Sequence, residues 1–451
     1  METVSKKHFI TITILILILA LGLRAYDYTT PTVLDEYAYT WAGLTLISEG
    51  TPTSWSWIEA YGPKEKSISN LKREYKESEL IMWKDSGYRL VTPWFDHPPL
   101  FSTMIGAYTY ATGTREIYSV SPSTIRIPML LLSILTVCLL IFLTKVWFNE
   151  TIALLTGLFY AIIPLFALSN RFTLAENLIT PLFLGSLLLY EQYKKSNKQY
   201  LIYCIGTLSG LAALAKVPGL AVAATLITIM FLDDKKNKRN NIITIATLTA
   251  IIFSIYFVYG FIFNGELFLK ILTDQGSRIF ITSIIANMIT EPKLLESTFN
   301  DGWLLVGAFA FLYALIKKEI KIIVPTVITI ATLIFFFTGN TFRSWYLIPV
   351  YPFLAIALAY LFNDSIQNKT YLPLLLPFAI IIPSLYDLLT DTINLLAWRS
   401  IIIITTITFI LALKDKERYS NILKNTTITY LTIAIITSII VIIKARTILT
   451  F

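Results

Sequence analysis

Charge, cysteine and histidine are all scarce in this chain of 451 residues. Asp, Glu, Lys and Arg make up 15% of it, against about 25% in soluble domains. Beside a hydrophobic content of 55%, that shortfall excludes an ordinary water-soluble domain. The 2 cysteines, Cys138 and Cys204, both fall inside apolar runs. They read as packing residues, and the loops assigned to the outside hold none to pair as a disulfide. The 2 histidines, His8 and His97, are too few for a His-rich zinc site. No glycine-rich phosphate cradle is present, so a nucleotide cofactor is not expected. The net charge of +8 fits basic cytoplasmic loops of a membrane protein, and nucleic acid is not implied.

What the chain does have is apolar runs of roughly 17–23 residues, the length needed to cross a bilayer. The first, Phe9 to Leu23, follows Lys6-Lys7-His8. It lacks a small-residue cleavage site after it and reads as a retained helix. Lys6 and Lys7 put the N-terminus inside, so helix 8–24 exits and the polar stretch after it lies outside. The run from Pro99 to Thr112 spans roughly 22 Å as a helix, short of the ~30 Å core, and reads as interfacial. Crossings are then expected at 125–145, 151–169, 177–192, a hairpin of 200–215 and 218–232, 241–263 and 302–316. Others follow before Gly339 and at 345–362, 371–388, 399–413 and 426–444. This places Lys194-Lys195, Lys235-Lys236 and Lys317-Lys318 inside, and counting 99–112 as a crossing would put the first two pairs outside. The expectation is an all-α polytopic membrane protein with about thirteen crossings. Residues 1–362 form its main module, with external loop 25–124, and 363–451 form C-terminal helices. The N-x-Ser/Thr triplets at Asn149, Asn363, Asn368 and Asn425 then fall inside and read as chance.

The polar stretch from Tyr26 to His97 is the exception in a greasy chain. It opens with Asp35-Glu36 and closes with Trp94-Phe95-Asp96-His97-Pro98-Pro99. The same topology brings Arg171, Glu176, Lys216, Arg278 and Arg343 to the outer face. Carboxylates can act as a general base or bind a metal, and cations can hold a phosphate. The set suits transfer from a phosphate-linked donor to a hydroxyl. Each group also has a plainer reading. An Asp-Glu pair can be merely solvated, Arg171 can snorkel, Lys216 can cap the hairpin, and His97 can mark a turn before Pro98. Arg115 and Arg126 read as interfacial anchors. Trp41, Trp55, Trp57, Trp83 and Trp94 crowd the same stretch. They fit an interfacial aromatic belt or rings that stack on sugars.

Particular motifs add to this. They are Leu34-Asp35-Glu36-Tyr37, Phe95-Asp96-His97-Pro98-Pro99-Leu100, Arg126-Ile127-Pro128, Arg171-Phe172-Thr173-Leu174-Ala175-Glu176, Leu214-Ala215-Lys216 and Arg343-Ser344-Trp345-Tyr346. In this order they resemble the GT-C glycosyltransferases that use polyprenyl-phosphate sugars, most closely the protein O-mannosyltransferase and aminoarabinose-transferase branch. The resemblance covers most of the first 360 residues and implies a GT-C fold in the cell membrane. It implies an inverting transfer of a mannose-like sugar from a polyprenyl or dolichyl phosphate to a hydroxyl of a glycan, protein or lipid, on the extracytoplasmic face. Asp35, Glu36 and Glu176 would be catalytic. Asp96, His97, Arg171, Lys216, Arg278, Arg343 and Tyr346 would bind substrate. A divalent metal held by Asp35, Asp96 and Glu176 stays an option. Two positions depart from the family: Glu176 stands where Asp is usual, and His97 where Lys is frequent. A transporter, a non-catalytic membrane subunit and an oligosaccharyltransferase-like enzyme are the alternatives. Acids kept in loops rather than inside helices, with no internal repeat, weigh against a transporter.

Overall fold

The computed structural model describes residues 5–30, 34–62, 89–233, 238–276, 292–294, 298–336, 343–390, 395–414 and 420–449. Arg278 and Trp83 lie outside the described residues.

Helix α1, Lys6–Ala25, starts where the Ser5 hydroxyl accepts a hydrogen bond from the His8 N–H. Its apolar side chains are largely outward-facing, with Leu15 and Ile18 both exposed, as a lipid-facing span requires. The polar stretch that follows is not a simple loop. It contains helix α2, Leu34–Glu49, whose residues from Ala38 to Thr45 are all buried. Interspersed Asp, Glu and Thr hide that helix from a hydropathy reading. A short antiparallel pair follows, β1 (Ser54–Ser56) with β2 (Arg89–Val91), with Trp55 opposite Leu90.

Helix α3, Pro99–Ala111, has 13 residues and so a length of about 20 Å. It packs along α2, in keeping with its reading as a segment too short to cross. The two helices touch backbone to backbone at Gly43 and Gly106. A Cβ on Gly43 would sit 1.7 Å from the Ser102 carbonyl oxygen, and one on Gly106 would sit 2.1 Å from the Gly43 carbonyl carbon.

The next helices are α4 (Pro122–Ile125), α5 (Ile127–Trp147), α6 (Glu150–Ile162) and α7 (Pro164–Ser169). The run expected as one helix over 151–169 is thus broken. Pro164 lacks the N–H that would continue the ladder, and it restarts the chain as the first residue of α7. At the start of α6 the Asn149 side chain caps the Ile152 N–H at 2.9 Å, which gives that asparagine a structural job.

Helices α8 (Glu176–Ser196), α9 (Tyr200–Ala215) and α10 (Leu220–Leu232) follow. The expected hairpin is present, with a turn at Lys216–Gly219. Only glycine fits its end, because a Cβ on Gly219 would lie 2.0 Å from the Ala212 carbonyl oxygen.

Helix α11, Lys238–Gly276, runs past the expected end at 263 and is kinked at Asn264. There the Asn264 side chain accepts from the Leu267 N–H at 3.0 Å and restarts the helix. The extension buries Phe268 and Ile271 against Phe95 and its neighbours. The remainder is α12 (Trp303–Ile316), α13 (Ile320–Phe336), a 3₁₀ turn at Ser344–Leu347, α14 (Tyr351–Gln367), α15 (Leu372–Thr390), α16 (Leu395–Lys414), α17 (Ser420–Ile443) and α18 (Ala445–Leu449). Among the described residues, 5 helices are long and apolar enough to cross a membrane, and further apolar helices are shorter. The chain is a multi-pass membrane protein.

Candidate active site

A cavity of about 150 Å³ opens where α2, the β pair, the start of α3 and the α9–α10 hairpin meet. Asp35, Asp96, His97, Lys216 and Tyr346 all line it, with Trp55, Trp57 and Trp94. Residues from five separate regions of the sequence therefore converge on one space.

Asp35 and Glu36 are neighbours in the first turn of α2, and consecutive helical residues point about 100° apart. Their fates differ accordingly. Asp35 faces the cavity. Glu36 is buried and held by Arg126, with Nε to Oε1 at 2.7 Å and the second nitrogen to Oε2 at 2.5 Å. The Thr173 N–H adds a third bond to Glu36 Oε1 at 2.8 Å. This corrects the catalytic expectation for Glu36. Its carboxylate is occupied by a bidentate ion pair and a backbone donor, so it ties α2 to the chain around Arg126 and Thr173.

Arg126 is likewise not an interfacial anchor. It is fully buried, donates to the Tyr28 carbonyl at 2.6 Å, and lies over the Phe172 ring at 5.0 Å. Arg171 is corrected in the same way. It is 1% exposed and donates to the Leu23 carbonyl at 2.6 Å, away from the cavity. Burial, reinforced by Arg126 and Arg24, pushes its guanidinium down to about 9.

The Asp35 carboxyl is pushed up to about 6. Loss of solvent is the main cause. Lys216 and Arg343 pull it down, while Glu176 and Glu36 push it up. Asp35 keeps some surface because it lines the cavity, yet protein surrounds it on its other sides. A carboxylate held near 6 is half-neutral just below physiological pH, which suits a general base.

Lys216 follows the last turn of α9 in an extended conformation. Its Nζ lies 2.6 Å from Glu176 Oε1 and 4.9 Å from the centre of the Tyr346 ring. Glu176 begins α8 and is 3% exposed, and its second oxygen, Oε2, has no hydrogen-bond partner. Arg343 acts on Asp35 electrostatically and lies over the Trp345 ring at 5.9 Å. The turn carrying it is pinned, because the Ser344 N–H and hydroxyl both reach the Lys293 carbonyl at 2.9 Å.

Asp96 accepts from the Ser56 hydroxyl at 2.7 Å and from the Tyr61 hydroxyl at 2.9 Å. Burial and Asp96 hold the Tyr61 hydroxyl well above its ordinary range, so it stays a donor. Three consecutive carbonyls around Asp96 are caught by side chains of α11. Tyr259 reaches Trp94 at 3.4 Å, Tyr256 reaches Phe95 at 2.8 Å, and Gln275 reaches Asp96 at 3.0 Å. His97 stacks on Tyr39 at 5.1 Å between ring centres, with Trp94 edge-on at 5.7 Å.

The metal option fares differently. Glu176 Oε2 is a buried acceptor that a cation could satisfy. Among the described residues, however, no three His, Cys, Asp or Glu side chains gather as a ligand group. Asp96 is engaged by Ser56 and Tyr61 and Glu176 by Lys216, so two of the three expected ligands already hold other side chains.

Several site residues carried no sequence signal. Ser56, Tyr61 and Gln275 meet Asp96 across 40, 35 and 179 positions, which no local pattern reports. Tyr39 was findable: it is four residues after Asp35 and so on the same helix face. Of the tryptophans, Trp55, Trp57 and Trp94 line the cavity, while Trp41 packs edge-on against Tyr118.

Comparisons with known proteins bear on the fold and on part of the chain. A family model described as dolichyl-phosphate-mannose-protein mannosyltransferase matches residues 96–259, a stretch that includes Asp96, His97, Glu176 and Lys216. No curated protein sequence matches the chain. Among solved structures, ArnT from Cupriavidus metallidurans in the apo state aligns with a TM-score of 0.57 at 13% identity, over 98% of this chain and 76% of that one. The same enzyme bound to undecaprenyl phosphate gives 0.56 and 13%, over 99% and 78%. The archaeal oligosaccharyltransferase AglB from Archaeoglobus fulgidus, in complex with an inhibitory peptide and a dolichol-phosphate, gives 0.50 and 13%, over 84% of this chain and 54% of that one. At such identities the likeness is one of fold, and it is the fold expected from the motifs. The helical architecture is thus one that ArnT and AglB share, and the family-model match is confined to residues 96–259.

Proposed function

We propose that the protein transfers a sugar from a polyprenyl-phosphate donor to a hydroxyl acceptor, with inversion, at the extracytoplasmic face of the membrane. The observation that carries this reading is the pairing of Asp35 and Lys216 across one cavity. A base and a phosphate-binding cation face the same small space. The match of residues 96–259 to a mannosyltransferase model and the undecaprenyl phosphate bound to ArnT support a lipid-phosphate donor. A mannose-like sugar is the reading that the family model favours.

In the proposed reaction the acceptor hydroxyl donates a hydrogen bond to Asp35. As its oxygen attacks the anomeric carbon, the proton passes to the Asp35 carboxylate. The bond from that carbon to the phosphate oxygen breaks, and the electron pair leaves with the polyprenyl phosphate. Lys216 and Arg343 stabilise the charge that develops there. Asp96, fixed by Ser56 and Tyr61, stands at the cavity wall where it can meet the sugar. Attack from the side opposite the phosphate inverts the anomeric configuration.

The test is a transfer assay on isolated membranes with radiolabelled polyprenyl-phosphate mannose and glucose, comparing the wild type with Asp35→Asn. Loss of transfer in a correctly folded Asp35→Asn variant is the expected result. Full activity in that variant would sink the assignment of the base.

A further inference from the structure

A second, open hollow adjoins the cavity. It is lined by Glu59, Ala60, Lys270, Thr273 and Asp274. The two are neighbours by chain connectivity, since Ile58 and Gln275 line the first and Glu59 and Asp274 the second. Lys270, Thr273 and Asp274 stand at i, i+3 and i+4 of α11 and so present one polar face. Trp57 lines the cavity two residues before Glu59 and is 51% exposed, whereas Trp55 and Trp94 are 5% and 1% exposed. Trp57 thus combines an exposed side chain with a place in the lining of the cavity that holds Asp35.

We infer that the groove from Trp57 to Lys270, Thr273 and Asp274 is the acceptor subsite, and that it takes a saccharide rather than a peptide. The inference rests on the transferase reading given above. One face of a pyranose carries C–H groups with partial positive charge, which lie well against the negative face of an indole. Its edge carries hydroxyls that both donate and accept. The second hollow supplies carboxylate acceptors at Glu59 and Asp274, a donor at Lys270 and a hydroxyl that does both at Thr273. Among the described residues its lining is polar apart from Ala60, which suits hydroxyl-bearing units better than apolar side chains. Asp35 then receives the terminal hydroxyl of a sugar whose next unit rests in the second hollow.

The experiment uses the full chain in lipid nanodiscs, free of sugar-based detergent. It is applied to an array carrying neutral and acidic oligosaccharides beside Ser- and Thr-containing peptides. The wild type is expected to be retained on a subset of glycans and not on peptides. Trp57→Ala should lower that retention on the order of tenfold, the loss of one well-placed aromatic contact, and Trp57→Phe should keep most of it. Thermal melts establish that each variant is folded. If Trp57→Ala does not fold, Thr273→Val and Asp274→Asn take its place with the same expected loss. Retention on peptides alone, retention on nothing, or glycan binding indifferent to these substitutions overturns the inference. Donor cleavage by the wild type with polyprenyl-phosphate mannose is measured separately. Its absence sinks the transferase reading and leaves the array result standing.

Discussion

The Nζ of Lys216 lies 2.6 Å from Oε1 of Glu176, with both side chains largely withdrawn from solvent. The cation at the hairpin tip therefore does not wait unpaired for a phosphate. Glu176 holds it in place across 40 residues of sequence. Lys216→Met leaves a buried, uncompensated carboxylate and should cost about 3–5 kcal/mol of stability. The double variant Lys216→Met with Glu176→Gln should recover much of that loss. A double-mutant cycle from thermal melts measures it, and strictly additive effects would show that the pair contributes no coupling.

In the proposed reaction, Asp35 sets the acid limb of the pH profile. Its carboxyl is held at about 6, and the base must be ionised to accept a proton. Transfer should thus fall about tenfold per pH unit below that value in kcat/KM, which reports the free enzyme. Glu176 pushes the Asp35 carboxyl up, so Glu176→Gln should move the limb to lower pH. Lys216 pulls it down, so Lys216→Met should move the limb to higher pH. A limb that stays fixed in both variants would mean that another group titrates.

Glu36 and Asp35 should separate cleanly in experiment. Glu36→Gln breaks a buried bidentate pair with Arg126 and leaves that guanidinium uncompensated. The expected signature is a loss of about 3–5 kcal/mol in stability, with activity retained and its pH limb moved slightly lower, because Glu36 is the smallest of the charges acting on Asp35 and pushes it up. Thermal melting beside a pH profile separates this from Asp35→Asn, which should melt near the wild type and lack activity.

The α2–α3 contact depends on two glycines. Gly106→Ala places a methyl 2.1 Å from the Gly43 backbone, and a helix backbone cannot yield to it as a flexible side chain could. The helices must part, which moves Asp35 relative to Asp96. We expect a fall in transfer of at least tenfold and a lower melting temperature. Gly22, where an added Cβ meets nothing within 4 Å, is the control, and Gly22→Ala should leave both unchanged.

Tyr256 fixes the Phe95 carbonyl at 2.8 Å, one residue before Asp96. Tyr256→Phe removes one buried hydrogen bond and should cost about 1–3 kcal/mol. Because Asp96 and His97 ride on that segment, the KM for the donor should rise several-fold while the pH limb set by Asp35 stays put. An unchanged KM alongside a lowered melting temperature would assign Tyr256 a purely structural part.

Much of this was legible from the chain alone. Apolar run length and basic clusters predict a polytopic helical protein, and the described helices fall close to the expected spans. The run expected from Pro99 to Thr112 is a helix at Pro99–Ala111. The exceptions are local. Pro164 breaks an expected helix, and Asn264 turns an expected exit into a kink with a further helical stretch. Arg278, expected among the phosphate-binding cations, falls outside the described residues.

By itself the sequence determined the class, the helices and the polar residues available for chemistry, because hydropathy and charge act through each residue's own solvation. It could not assign those residues to roles. Asp35 and Glu36 are equivalent on paper, and only a helix placed between a cavity and Arg126 turns one to the cavity and ties the other into an ion pair. Arg171 and Lys216 read alike as outer-face cations, yet one is sealed beneath Leu23 and the other meets the cavity. Such roles depend on desolvation and on partners up to 179 positions away. Those exist only after the chain has packed.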